Sequence, residues 1–191
     1  MIGKNMSNVE PASEFKRPGA GGYVVRIERV NNDKDKERLD IFLEIAEGEF
    51  AGYIKETNER FGFWSAKATK SYKSTALSFF RAFIEAVVKS NADTDGLVIG
   101  DYEDVDETKL RGLIVGAAVG EREYDGNDGT RKRALDWYNA TFISADDIRS
   151  GNFKIPELRV MDSKSEVKVT DASIKVTDAT FGPVDDKDIP F

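Results

Sequence analysis

The chain has no cysteine and no histidine in 191 residues. These two absences remove disulfides, thiol nucleophiles, zinc fingers and every Ser/His or Cys/His catalytic pair. No apolar run approaches the ~20 residues that cross a membrane as a helix, and the N-terminus has no signal-type apolar core. The expectation is a soluble, cytoplasmic protein with no membrane partner. Phosphate-cradling glycine loops and nucleophile elbows are also missing. Nothing in the residue pattern calls for a cofactor or a metal. The expectation is a non-enzymatic protein.

What is present is charge, and its distribution matters more than its sum. The net charge is −7, which alone argues against a nucleic-acid ligand. Residues 54–91, however, carry seven Lys/Arg against three acids, and residues 92–110 carry seven acids and one lysine. A basic middle flanked by acidic segments can still hold a polyanion locally.

Residues 1–18 lack periodicity, contain Pro11 and Pro18 and read as a flexible arm. Gly19-Ala20-Gly21-Gly22 is a turn cluster that opens the domain. Tyr23 to Val30 alternates, with Tyr23, Val25 and Ile27 on one face and Arg26 and Glu28 on the other, so it reads as a half-buried strand. Asn31 to Glu37 reads as a loop. Leu39, Ile41, Leu43 and Ile45 alternate with Asp40, Phe42 and Glu44 in a second strand, and Phe50 to Thr57 reads as a shorter third. Behind Ser74, a candidate N-cap, apolar residues recur at helical spacing from Ala76 to Val88, predicting a long amphipathic helix over 75–90 that ends at Asn91.

Ala92 to Thr108 is an acidic loop with room for a short strand at 97–99. Gly112 to Gly120 is a β-branched apolar run that suits a strand buried on both faces or bent at Gly116. Asp125-Gly126-Asn127-Asp128-Gly129 is a hairpin signal, and Arg131 to Ile143 reads as the last long strand. Ser144 caps a short helical turn ended by Gly151. After Pro156 the apolar content thins. The near-repeat of 168–173 at 175–180 reads as a low-complexity linker or an edge hairpin. The domain assignment is therefore an arm at 1–18, a domain at 19–156 and an acidic tail at 157–191. Strand, strand, strand, helix, strand, strand is the order of the OB-fold, a five-stranded Greek-key barrel, though other α+β folds share it.

On an OB-type barrel the outward face of strands two and three and the loops at its rim bind oligonucleotides. Residues suited to phosphates there are Arg26, Lys67, Lys70, Lys73, Arg131 and Arg133. Residues suited to base stacking are Phe42, Trp64, Tyr72, Tyr124 and one of Trp137 and Tyr138, which adjacent strand positions would send to opposite faces. Lys67, Lys70 and Lys73 would line one face if their segment is helical. Lys and Arg in loops are often only solvating, so the pattern rather than any one residue carries the reading. The acidic stretch Asp101, Glu103, Asp104, Asp106, Glu107 allows a rival reading as a carboxylate nuclease, although an exposed acidic loop is far commoner. A protein-interaction module without a nucleic-acid role is a further alternative, favoured by the net acidity.

The chain ends on Asp185, Asp186, Lys187, Asp188, Ile189, Pro190 and Phe191. A polar tail gains little in folding from ending on Ile and Phe, whereas apolar anchors behind acids suit a basic-rimmed apolar pocket on another protein. This tip resembles the acidic C-terminal tip of bacterial single-stranded-DNA-binding proteins. Together with Gly21-Gly22-Tyr23-Val24-Val25-Arg26-Ile27, the stretch Leu39 to Tyr53, the helix and the last hairpin, it makes the chain look like a phage-encoded single-stranded-DNA-binding protein. The resemblance implies an OB-fold core and coating of single strands in phage replication or recombination, inside the bacterial host. It also implies recruitment of replication and recombination proteins through Asp185, Asp186, Asp188, Ile189, Pro190 and Phe191, with a possible homo-oligomer.

Overall fold

The computed structural model describes residues 16–161. The tip residues, the near-repeat and most of the N-terminal arm lie outside the described residues. Nine strands run in chain order: β1 (Gly21–Asp33), β2 (Arg38–Ile45), β3 (Lys67–Ser71), β4 (Val98–Ile99), β5 (Asp104–Val105), β6 (Ile114–Val119), β7 (Glu121–Asp125), β8 (Arg131–Leu135) and β9 (Thr141–Ile143). Three helices join them: α1 (Tyr53–Phe61), α2 (Leu77–Ser90) and α3 (Ala145–Arg149).

The architecture is mainly β. Five strands form one antiparallel sheet in the order β3-β2-β1-β6-β9, while β4–β5 and β7–β8 are separate hairpins. The sheet curls strongly into a half-barrel. The Lys70 side chain on one edge strand, β3, reaches toward the other, β9, with its ammonium 4.6 Å from the centre of the Phe142 ring. The alternation in β2 is realised in full: Leu39, Ile41, Leu43 and Ile45 are all buried inside the curl. They meet Val25 and Ile27 of β1 and Phe83, Ile84 and Val87 of α2 in a single core.

α2 stands where the helical spacing put it, with fourteen residues, and among the described residues it has two shorter companions rather than being the one helix expected. Ser74 does not cap it by its side chain. Ser74–Ala76 forms a 3-10 turn ahead of the helix instead. Asn91 ends it and ties it to β6, its amide donating to Val87 O at 2.7 Å and Ile114 O at 2.9 Å and accepting from the Ile114 N–H at 3.1 Å. β6 is buried along nearly its whole length, as a two-sided apolar run requires. Gly116 is obligatory there, because a Cβ would lie 2.5 Å from the Ser144 carbonyl oxygen. Ser144 caps α3 with its hydroxyl.

The segment expected to be a third strand, Phe50 to Thr57, is instead the start of α1. Local sequence could not show why. The N-cap residue, Gly52, has no side chain, and the acceptor comes from β2. The Glu44 carboxylate accepts from the N–H groups of Ile54 at 3.0 Å and Lys55 at 2.6 Å, the second and third positions of the helix, and from Ile45 N–H at 2.9 Å. Those are the donors that an N-cap side chain would satisfy.

Arg131 to Ile143 is likewise not one strand. Asp136 breaks it by holding the Asn139 amide at 2.8 Å and 3.0 Å, and a 3-10 turn (Trp137–Asn139) separates β8 from β9. The chain also stays in the domain beyond Pro156. Arg159 exchanges backbone hydrogen bonds with Glu121 and Glu123, lying parallel to β7.

Candidate nucleic-acid interface

The outward face of the sheet is organised by a β-bulge. β1 and β2 pair as Arg26↔Glu44 and Ile27↔Leu43, a register that would next set Glu28 against Phe42. The register shifts between Ile27 and Arg29, so Arg29 stands opposite Phe42. Its guanidinium carbon lies 3.8 Å from the centre of the Phe42 ring. From the other side, Lys67 of β3 is the cross-strand partner of Phe42, with its ammonium 5.7 Å from the ring centre. One half-buried aromatic ring on the outward face is thus bracketed by two cations. A bulge also bends its strand and adds twist, consistent with the curl of this sheet.

The cations differ in how far they are neutralised. Arg29 has no carboxylate partner among the described residues. Lys67 binds Asp40 at 2.7 Å. Burial works against the Asp40 carboxylate, but the Lys67 ammonium and the Thr69 hydroxyl outweigh it and hold its pKa below the ordinary value. Asp40 therefore stays ionised and anchors Lys67 beside Phe42.

Two shallow recesses flank the Phe42–Lys67 pair, one lined by Phe42 and the other by Lys67. The first, of about 490 Å³, lies between β1, β2 and α1 and is lined by Arg29, Phe42, Trp64, Lys55, Asn58 and Arg111, among others. Trp64 is fixed there by its indole N–H, which donates to Leu43 O at 2.9 Å. The second, of about 390 Å³, runs from Lys67 to Tyr138, Arg122 and Arg159. Together their walls carry six cations against three carboxylates, in a chain whose net charge is −7. The path from Trp64 over Phe42 and Lys67 to Tyr138 has cationic groups spaced between ring faces, the combination a flexible polyanion with stackable bases requires.

Each of the sequence-derived site residues now has a place. Phe42, Trp64 and Lys67 lie on the path. Of the Trp137 and Tyr138 pair, Trp137 is core, 3 % exposed and packed 5.7 Å from Tyr23, while Tyr138 is 59 % exposed on the groove wall. Arg26 faces outward but pairs with Glu28 at 3.9 Å and stands beside Glu44 rather than Phe42. Tyr124 is exposed on the hairpin across from Lys132. Arg131 and Arg133 face Glu123 and Asp125 at 3.6–3.9 Å on the same hairpin face and are largely neutralised. Lys73 is exposed just ahead of the 3-10 turn before α2.

Lys67, Lys70 and Lys73 do not share a helical face, because the first two lie on β3 and Lys73 lies beyond its end. Lys70 has the opposite parity to Lys67 and the same parity as buried Ala68, so it turns inward over Phe142. Tyr72 is also drawn inward, donating its hydroxyl to Asn32 at 2.8 Å and packing edge-on against Phe80 at 5.9 Å. The residues missed from sequence are Arg29, Lys55, Arg111, Arg122 and Arg159. Strict alternation assigns Arg29 to the buried face, and only the bulge reverses it.

Lys70 has no ion-pair partner among the described residues, and burial lowers its pKa from the ordinary 10.5. The unfolded chain then retains a proton that the folded chain releases as pH rises, so this group's cost is present at neutral pH and disappears as pH approaches 10.5. Lys70→Met is expected to stabilise the fold at pH 7 by about 1 kcal/mol. Chemical denaturation at pH 7 and pH 10 checks this, and the advantage should shrink at the higher pH.

The acidic stretch spans the β4–β5 hairpin and the 3-10 turn after it. Asp104 lies on β5 of the β4–β5 hairpin, and Asp106 caps the following 3-10 turn by accepting from Thr108. Among the described residues, no three carboxylates converge as metal ligands. No helix among them is long and apolar enough to cross a membrane. The sequence matches no protein-family model and no curated protein.

Proposed function

We propose that this chain binds single-stranded DNA without catalysis, as a phage-type single-stranded-DNA-binding protein on an OB-like Greek-key barrel. The order β6-β1-β2-β3, with the fourth strand returning beside the first after a helix, supports the Greek-key reading. The observation that carries the function is the bulge-placed row Arg29–Phe42–Lys67 on the outer face. It joins a stackable ring to an unpaired guanidinium in a groove whose local charge opposes that of the whole chain. Trp64 and Tyr138 extend the stacking surface to either side. The strand would run from α1 toward the β7–β8 hairpin, with Lys55, Arg111, Arg122 and Arg159 along its phosphates. Asp185, Asp186, Asp188, Ile189, Pro190 and Phe191 would recruit replication or recombination proteins in the host cytoplasm.

The test is fluorescence anisotropy of labelled oligo(dT) titrated with the full chain at two salt concentrations, against a duplex of the same length. Tight binding to the single strand that weakens with salt, and weak binding to the duplex, is the expected result. Counterion release sets the salt dependence, with a slope of about −0.7 per phosphate contacted. Deleting residues 185–191 and substituting Lys70→Met should both leave affinity intact. Failure to bind at low salt, with or without the tip, overturns the proposal.

A further inference from the structure

A second groove lies on the other side of the barrel and shares no lining residue with the first two. It measures about 820 Å³ and sits between the N-terminal half of α2, the β4–β5 hairpin and the far end of β1–β2. Its floor is apolar: Leu39, Tyr72, Phe80, Ile84 and Val105. Leu77 stands 51 % exposed on its wall. α2 already has its core stripe in Phe83, Ile84 and Val87, so the fold gains little from Leu77. An apolar floor with an unburied apolar side chain at its rim marks an interaction surface.

The rim decides the kind of occupant. Glu37, Glu103, Asp104 and Glu107 line it against Lys34 and Arg81. Arg81 is already engaged, bound to Glu85 at 2.9 Å and lying 4.5 Å over the Tyr102 ring. Asp101, Asp106 and the rest of residues 92–110 add further negative charge nearby. Such a rim repels nucleic acid and the chain's own acidic tip, and attracts lysine and arginine.

We infer that this groove is a docking site for a partner-protein segment bearing apolar anchors flanked by Lys or Arg. The site is independent of the DNA groove, so one molecule can hold a single strand on one face and a basic, apolar segment on the other. The acidic rim sets orientation and encounter rate, while Leu77 and the apolar floor supply contact area.

The probe is a labelled amphipathic peptide with Leu along one face and Lys at its flanks, with a twin carrying Glu for Lys. Anisotropy at ~0.15 M salt, where the Debye length is about 8 Å, keeps distant charges from dominating. The Lys peptide is expected to bind at least about ten-fold more tightly than its twin, and Leu77→Asp to weaken it by about ten-fold or more. Leu77 is half exposed at the first position of α2, so the variant should fold, and unchanged oligo(dT) binding and circular dichroism would verify this. The double variant Glu103→Lys/Asp104→Lys should shift preference toward the Glu peptide. Three results would each overturn the inference: no binding of the Lys peptide, binding that Leu77→Asp leaves unchanged, and a concentration-dependent dimer that Leu77→Asp abolishes, since the last makes a second copy the occupant. The oligo(dT) and peptide titrations read different faces, so failure of one proposal is separable from failure of the other.

Discussion

Arg29→Glu is expected to lower oligo(dT) affinity by about a hundred-fold, and Phe42→Ala by about ten-fold or more, consistent with ~1–3 kcal/mol for a base stacked on an aromatic ring. Arg29→Glu both removes a phosphate partner and sets a carboxylate against the strand. Arg29→Ala should cost less and should reduce the steepness of the salt dependence by about 0.7, the contribution of one phosphate on a single strand. Glu28→Ala is the comparison. The bulge gives the place opposite Phe42 to Arg29, but Glu28 still lines the same recess. Its removal is expected to strengthen binding by less than about three-fold, given its half-exposed position and its long contact with Arg26. Anisotropy titrations of wild type and the four variants across a salt series give all these quantities. Thermal melts serve as fold controls, since Arg29 is exposed and Phe42 lies on the outward face. If Arg29→Glu bound oligo(dT) as tightly as wild type, the outer face of β1–β2 would not be the interface.

The second large effect is on stability and reaches the groove indirectly. Glu44→Ala is expected to cost about 2–4 kcal/mol, because it orphans two N–H donors at a buried helix start and the Ile45 N–H on β2, each costing about 1–3 kcal/mol before relaxation or rescue by water. The ionised carboxylate is not free of cost itself. Burial raises its pKa, the three backbone donors pull it back and Glu28 adds to the rise, with a net shift upward. Between the unfolded and folded values the folded chain holds the extra proton, so this group's contribution to stability falls as pH rises through that window. Glu44→Gln should remove this pH dependence and cost about 1 kcal/mol, since one amide oxygen still accepts while the N–H of Lys55 loses its partner. Urea denaturation of the three proteins from pH 4 to pH 8 separates the effects. Because α1 carries Lys55 and Asn58 into the groove, Glu44→Ala should also weaken oligo(dT) binding where the protein remains folded. A Glu44→Ala protein as stable as wild type would mean that α1 does not need its cap.

Elements whose reasons are local were legible in the sequence. The period-two pattern of Leu39, Ile41, Leu43 and Ile45 fixes which face of β2 is buried, because alternate side chains of a strand point to opposite sides. The apolar spacing of α2, the Ser144 cap of α3 and the Asp-Gly-rich turn between β7 and β8 are also short-range and read correctly. So did the double burial of β6, whose β-branched run has no polar face to offer solvent.

Elements whose reasons lie far away in the chain were not legible. Residues 50–57 have strand-like composition, yet a carboxylate on the neighbouring strand caps them as a helix. Trp137 and Tyr138 are equivalent in sequence, and only the turn held by Asp136 sends one to the core and the other to the groove. The same division runs through the candidate site. Composition alone showed a basic, aromatic middle in an acidic chain. Which cation meets which ring was decided by pairing register, because moving a strand by one residue turns its side chains to the opposite face. The shift after Ile27 exchanges a glutamate for an arginine opposite Phe42, and the parity of β3 sends Lys67 outward and Lys70 inward. Sequence determined what kinds of groups this protein has; long-range pairing decided which of them share a surface, because register depends on both strands and on the core they close around.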